Sequence, residues 1–257
     1  MHTGNLTFNL ELAAGYKSQQ QKIRVLTESW VSNSTYCPNC GETISKYINN
    51  TPGADFFCRN CNEDFELKSK KDKIGLKVVD GAYSTMIERL NSRNTPNLFL
   101  LNYELNSFKV KNFIVVPKHF FISEIIEKRK PLPENARRSG WIGCNILLHN
   151  IPNAGRIFFI KDGVVKPKNN VLAEWKKTLF LREQTNVSWL LDIMNCIDKL
   201  GNREFTLNEI YGFEVELMER HPNNMNIKDK IRQQLQLLRD KNYLTFMGRG
   251  KYKKVNI

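Results

Sequence analysis

The chain has 257 residues, 41% of them apolar and 25% charged, an ordinary globular composition that excludes a disordered or fibrous protein and allows one good core plus a smaller second domain. With 39 Lys and Arg against 26 Asp and Glu, its formal charge of +13 suits a polyanion: nucleic acid first, an acidic membrane surface or acidic protein otherwise. The first twenty residues lack the basic start and apolar run of a signal peptide, and no apolar run is long enough to span a bilayer, so a cytoplasmic protein without membrane contact is expected. In that reducing compartment the six cysteines are not expected to form disulfides, and clustered ones read as metal ligands or redox groups.

In chain order, the first element is a helix over 20–31 with Ile23, Leu26 and Trp30 on one face. Glu28 on this helix is a candidate further acid, although a solvated helix position is its expected place. Cys37, Cys40, Cys58 and Cys61 then form C-x2-C, seventeen intervening residues, and C-x2-C. Each knuckle can direct two thiolates at one ion, and four complete a closed tetrahedron, so the expectation is structural zinc. Threaded through the second knuckle, "ADFFCRNCNEDFELKSKK" carries Asp55, Glu66 and Lys68. Two residues apart in a strand, Glu66 and Lys68 project from one face, Leu67 faces the core, and Asp55 on the neighbouring strand can reach Glu66. Two carboxylates with the backbone carbonyl of Leu67 form a hard oxygen set suited to Mg2+, and Lys68 suits a developing negative charge; the pattern points to phosphodiester hydrolysis. A solvated hairpin of charge pairs is the plainer alternative.

A helix over 80–91 carrying Met86, Ile87 and Leu90 is expected next. The runs "NLFLLNY", "NFIVVP", "WIGCNILL" and "RIFFI" follow as strands of one buried sheet. Cys144 and Cys196, isolated in apolar runs, read as small buried hydrophobes. The loop "EKRKPLPENARRSGW" offers Arg137 and Arg138 to phosphates, and Trp141 is either a core anchor or a base contact.

The pattern changes at "LREQTNVSW", which sets the boundary between domains 1–183 and 184–257. Helices over 189–200, 207–219 and 227–242, then two short strands around a Gly turn, describe a winged helix-turn-helix. In the third helix Ile227, Ile231, Leu235 and Leu238 form the inward stripe, leaving Lys228, Arg232, Gln233 and Gln236 outward as candidate base-edge contacts, against the alternative of solvated helix polarity. The wing "GRGKYKK", with Arg249, Lys251 and Lys253, is the candidate phosphate contact.

Asp55 followed by Glu66-Leu67-Lys68 resembles the PD-(D/E)xK nuclease motif, with Ala54 in place of the usual Pro. Together with the four-Cys site and the winged helix, the segments "YCPNCG", "FELKSKK", "DGAYSTM", "ARRSGWIGCNI", "LNEIYGFE" and "KIRQQLQLLRDK" are similar to the DpnI-like family of methyl-directed type II restriction endonucleases over nearly the whole chain. That resemblance implies an α/β PD-(D/E)xK core, Mg2+-dependent double-strand cleavage at Gm6ATC sites, two domains that each meet N6-methylated DNA, and Trp141 lying against the methylated bases. Zinc is structural in this reading, Mg2+ catalytic, double-stranded methylated DNA the partner, with no obligate protein partner and a monomeric chain. The alternative is a non-catalytic zinc-ribbon and winged-helix DNA-binding regulator.

Overall fold

The computed structural model describes residues 5–48, 53–92 and 95–255. The chain divides into two compact units, 1–149 with 155–178, and 150–154 with 179–257. The first contains α1 (Gln19–Ser34), β1 (Ser45–Lys46), β2 (Phe56–Phe57), β3 (Asp64–Lys71), β4 (Lys77–Ala82), α2 (Tyr83–Asn91), β5 (Asn97–Tyr103), β6 (Val110–Val116), β7 (Ile126–Lys128), β8 (Gly143–Leu147), β9 (Ile157–Lys161), β10 (Val164–Val165) and α3 (Lys168–Thr178).

Its main sheet runs β1-β2-β3-β5-β6-β9-β10. Strands β3 and β5 are parallel, with Glu66 beside Leu98 and Lys68 beside Leu100, and the other neighbours are antiparallel. A parallel pair requires a crossover, and here β4 and α2 supply it. Every residue of β5 is buried, as expected of a strand covered on both faces. Phe56, Phe65, Phe99, Phe113 and Phe159 form the aromatic core, with Phe65 stacked on Phe99 at 4.4 Å and Trp30 of α1 set edge-on to Phe113.

Two expectations are corrected here. "WIGCNILL" does not join the main sheet: β8 lies between β4 and β7 in a separate three-stranded sheet. An apolar run marks a strand but carries no information on its partner. The second helix starts at Tyr83, not at Asp80. Val78, Val79 and Asp80 pair with Ile146, Asn145 and Cys144, and a bulge before Ala82 ends the strand, so tertiary pairing overrides the helical pattern.

The second unit contains α4 (Val187–Lys199), β11 (Glu204–Thr206), α5 (Leu207–Tyr211), α6 (Glu214–Arg220), α7 (Ile227–Asp240), β12 (Leu244–Gly248) and β13 (Lys251–Lys254), its strands ordered β11-β13-β12. The expected helix over 207–219 is two helices: a capping box from Thr206 and Glu209 starts α5, and the chain breaks at Gly212 and Phe213 before α6. Ile227, Ile231, Leu235 and Leu238 are buried, so α7 packs by the expected stripe. Beneath it the buried Asp192 of α4 accepts from Arg220 and, at 2.8 Å, from His221, whose ring stacks on Trp189 at 3.8 Å.

Candidate active site and metal centre

The two cysteine knuckles have the same backbone. In the first, the Gly41 N–H donates to the Cys37 carbonyl at 2.8 Å and the Cys37 N–H to Glu42; in the second, Asn62 donates to Cys58 at 2.9 Å and Cys58 to Glu63. The residue after each pair must enter the left-handed region, where Gly41 has φ +82° and Asn62 +55°; Gly and Asn are the residues that tolerate it best. A Cβ at Gly41 would also meet Lys168 Cε at 2.9 Å, because α3 lies against this turn, with the Lys168 ammonium 2.6 Å from the Gly41 carbonyl. The four Sγ atoms lie within 4.8 Å of one another, Cys37 to Cys61 at 3.5 Å and Cys40 to Cys58 at 3.4 Å. Zn–S bonds of about 2.3 Å in a tetrahedron need sulfurs about 3.8 Å apart, so this cluster could hold zinc with little movement. Burial works to raise the thiols; it prevails at Cys37, while at Cys40 hydrogen bonds led by the Asn60 side chain bring the thiol down to about 7. Cys144 and Cys196 are buried, as expected.

The knuckles bracket the carboxylates. Pairing of Phe56 with Phe65 sets Asp55 opposite Glu66, and the Asp55 N–H donates to the Phe65 carbonyl at 2.9 Å. Its carboxylate, however, turns along the strand edge and accepts the Leu67 N–H at 2.7 Å. Asp55 and Leu67 line a cleft of about 650 Å³ against α1, together with Arg24, Glu28, Ser69 and Lys71. Leu67 is half-buried and lines the cleft wall, and β2, only two residues long, leaves the Leu67 edge of β3 without a partner strand. Residue amide and carbonyl leave a strand on the same side, so the Leu67 carbonyl also faces the Asp55 edge. Glu28 is not solvated: its side chain is 6% exposed and held by Arg24 at 2.6 Å and Lys46 at 2.7 Å. Glu28 follows directly on the buried Leu26 and Thr27 and precedes Trp30 and Val31, and that width of the inward stripe was the available signal.

Glu66 and Lys68 leave β3 on one face, as their spacing requires, with 2.6 Å between carboxylate and ammonium. The ammonium also lies 2.7 Å from Asp80 on β4, and Arg89 of α2 reaches Glu66 at 3.5 Å. Burial pulls the Lys68 pKa down, but Glu66 and Asp80 more than offset it and push it up to about 12, so the lysine stays charged. Burial also raises Asp55, against the Leu67 N–H, and Glu66, against Lys68. Both carboxylates thus carry a desolvation cost that a bound cation would relieve. Asp80 has no sequence signal of its own: a lone acid directly after "KIGLKVV" becomes a partner of Lys68 only through the crossover.

Arg137 and Arg138 are exposed, and Arg138 stacks over the half-buried Trp141 ring at 4.7 Å. Trp141 packs on the backbone of Gly143, where a Cβ would lie 2.8 Å from the indole. On α7, Lys228, Arg232, Gln233 and Gln236 are exposed; Lys228 pairs with Glu214 at 3.2 Å, Arg232 with Asp229 and the Tyr211 hydroxyl, and Gln233 accepts from Lys230. Arg249 and Lys251 stand exposed at the wing, where Gly248, Arg249 and Gly250 all have positive φ. Lys253 is engaged with Glu204 at 2.6 Å.

An α/β unit with a four-Cys centre and a partly buried carboxylate–lysine cluster, joined to a helix-turn-helix unit with a basic wing, defines a DNA-acting protein of two parts. The family model described as DpnI, the Dam-replacing family, matches residues 4–184, and that of DpnI_C, the Dam-replacing HTH domain, matches 185–254. The chain belongs to the DpnI, Dam-replacing family, whose members are restriction nucleases directed to methylated DNA. No helix among the described residues is long and apolar enough to cross a membrane.

Proposed function

We propose that the chain is a Mg2+-dependent type II restriction endonuclease with a PD-(D/E)xK core, cleaving double-stranded DNA at N6-adenine-methylated sites, Gm6ATC. Residues 1–183 would carry catalysis and the zinc, and residues 184–257 would form a winged-helix reader. The observation that carries this reading is the charge arrangement on β3: Asp55 tied to the Leu67 N–H at 2.7 Å along its edge, and Glu66 and Lys68 2.6 Å apart on one face of the strand.

The donor set fits a hard cation, since it consists of two half-buried carboxylates and a backbone carbonyl. Asp55, Glu66 and the Leu67 carbonyl would hold Mg2+. When bound, Mg2+ polarises the scissile phosphodiester and stabilises the leaving oxygen. Asp55 is already oriented by the Leu67 N–H, so little reorganisation is needed to present it. Lys68, charged at neutral pH, would orient the attacking water and steady the negative charge that develops on phosphorus oxygens. Glu28 stands at the same cleft wall, its charge balanced by Arg24 at 2.6 Å and Lys46 at 2.7 Å. Cys37, Cys40, Cys58 and Cys61 would bind a structural zinc that fixes β2 and the start of β3, hence both carboxylates.

For recognition, Arg137 and Arg138 with Arg249 and Lys251 would meet phosphates, Trp141 the methylated bases, and Lys228, Arg232, Gln233 and Gln236 the groove edges. The test is incubation of purified protein and Mg2+ with adenine-methylated and unmethylated plasmid. Cleavage of the methylated plasmid alone is expected; no cleavage, or equal cleavage of both, overturns the proposal.

A further inference from the structure

The Lys68 ammonium sits between two carboxylates, Glu66 at 2.6 Å and Asp80 at 2.7 Å. One of them is wanted elsewhere if Glu66 is a cation ligand, for a carboxylate neutralised by a close ammonium is a poorer donor to a metal, and the two cations repel. Asp80 is placed to resolve that conflict. Its side chain is 6% exposed, it sits at the bulge of β4, and its Oδ1 takes both the lysine and the Gly81 N–H at 2.6 Å. Its Oδ2 is buried and, among the described residues, has no hydrogen-bond partner. A buried carboxylate oxygen without a partner is destabilising, and an ammonium with three donors is the near group able to take it up.

The surroundings decide whether Asp80 is itself a metal ligand. The void between Glu66, Asp80, Met86, Arg89 and Ile146 is about 10 Å³, the lower limit for one water molecule and too small for a hydrated divalent ion. The open space, about 650 Å³, lies on the other side, with Asp55 and Leu67. We propose that Asp80 is a positioning residue that acts through Lys68: it takes the ammonium over when Glu66 turns to the cation, and so keeps the catalytic lysine from competing with the metal. This rests on the reading of Glu66 as a cation ligand and adds to it a residue outside the PD-(D/E)xK motif.

The test is Mn2+ binding to the full-length protein without DNA, followed as loss of the free-ion electron paramagnetic resonance signal. Wild type, Glu66→Gln, Asp80→Asn, Lys68→Met and the double variant are compared at equal zinc content and with thermal melts as a folding control. Asp80→Asn retains an acceptor for the Gly81 N–H; Asp80→Ser replaces it should it fail to fold. Asp80→Asn is expected to weaken Mn2+ binding at least fivefold, because Lys68 is left to Glu66 alone, whereas Lys68→Met changes it less than twofold. The double variant returns to within twofold of wild type, a non-additive result. A double variant as weak as Asp80→Asn makes Asp80 a ligand or a merely structural group and overturns the proposal, as do additive effects or an unaltered Asp80→Asn. Equal Mn2+ binding by wild type and Glu66→Gln overturns the metal reading of Glu66, and this inference with it, and is distinguishable because Glu66→Gln is scored separately.

Discussion

Asp55, Glu66 and Lys68 are partly buried charges held by each other and by one backbone amide, so each has a strong effect when altered. Replacing any of the three with Ala is expected to lower cleavage of methylated plasmid by about 10³-fold or more, the scale for losing one organised charge at a reacting centre, while gel-shift affinity for the same DNA in Ca2+ stays within a fewfold. Full cleavage by purified Glu66→Ala would contradict the assignment. The raised pKa values of Asp55 and Glu66 also set a stability trade. A carboxyl whose folded pKa lies above its unfolded value binds protons more tightly when folded, so ionisation destabilises the fold above the folded pKa, and the cost fades as pH falls towards the ordinary value near 4. Asp55→Asn and Glu66→Gln should therefore raise the melting temperature of metal-free protein at pH 7, by an amount that shrinks on acidification. Thermal melts across pH decide it; a gain that grows towards low pH has the wrong sign.

At the scale of elements, β2 and β3 are a hairpin too short to stand alone. Only two residues of β2 pair with β3, and an isolated two-stranded hairpin is marginal in water. The second knuckle closes this hairpin and the first ties it to α3 through Gly41 and Lys168. Structural zinc contributes about 10–16 kcal/mol in small zinc-binding peptides, comparable to the whole stability of a domain. Cys58→Ser should therefore remove bound zinc and cleavage together and yield protein whose first unit melts non-cooperatively or is insoluble, whereas Cys144→Ser, outside the cluster, should keep zinc at one per chain. Metal analysis with activity on the same preparations checks it, and active protein with well under one zinc per chain would contradict it.

For the whole molecule, a methyl group contributes only about 1 kcal/mol of apolar transfer, roughly a fivefold preference, so one pocket discriminates weakly and several divided between two units discriminate strongly. The helix-turn-helix unit alone is thus expected to prefer methylated GATC duplex modestly, and the first unit alone to cut methylated sites only at raised concentration. Where the fragment begins matters. Leu181 is 1% exposed and belongs to the second unit, as does the segment Asn150–Ala154, where the Asp198 carboxylate accepts the Asn153 N–H at 2.7 Å. A fragment 184–257 lacks Leu181 and should be less stable than 179–257 by about 1.5–3 kcal/mol, the value of one buried Leu, seen as a lower urea midpoint. Equal binding of both duplexes by the stable fragment, at one fixed salt concentration, would assign methyl reading to the first unit alone.

Much of this protein is determined by local sequence. The Cys spacing states a four-thiolate centre because each knuckle is a five-residue turn that forms within itself, and the stripe of Ile227, Ile231, Leu235 and Leu238 states the buried face of α7 because helical period is a local property. The common face of Glu66 and Lys68 follows in the same way from the pleat. Other features required the tertiary structure, since they depend on which segments meet. Asp80 becomes the partner of Lys68 because a parallel β3–β5 pair forces a crossover over that face. Glu28 enters the cleft because α1 packs beside the open end of a strand two residues long. Leu67 is left half-buried in a cleft wall, and "WIGCNILL" leaves the main sheet, for the same reason: alternation along a strand says that one side is buried, but burial is set by what the rest of the chain brings to cover it.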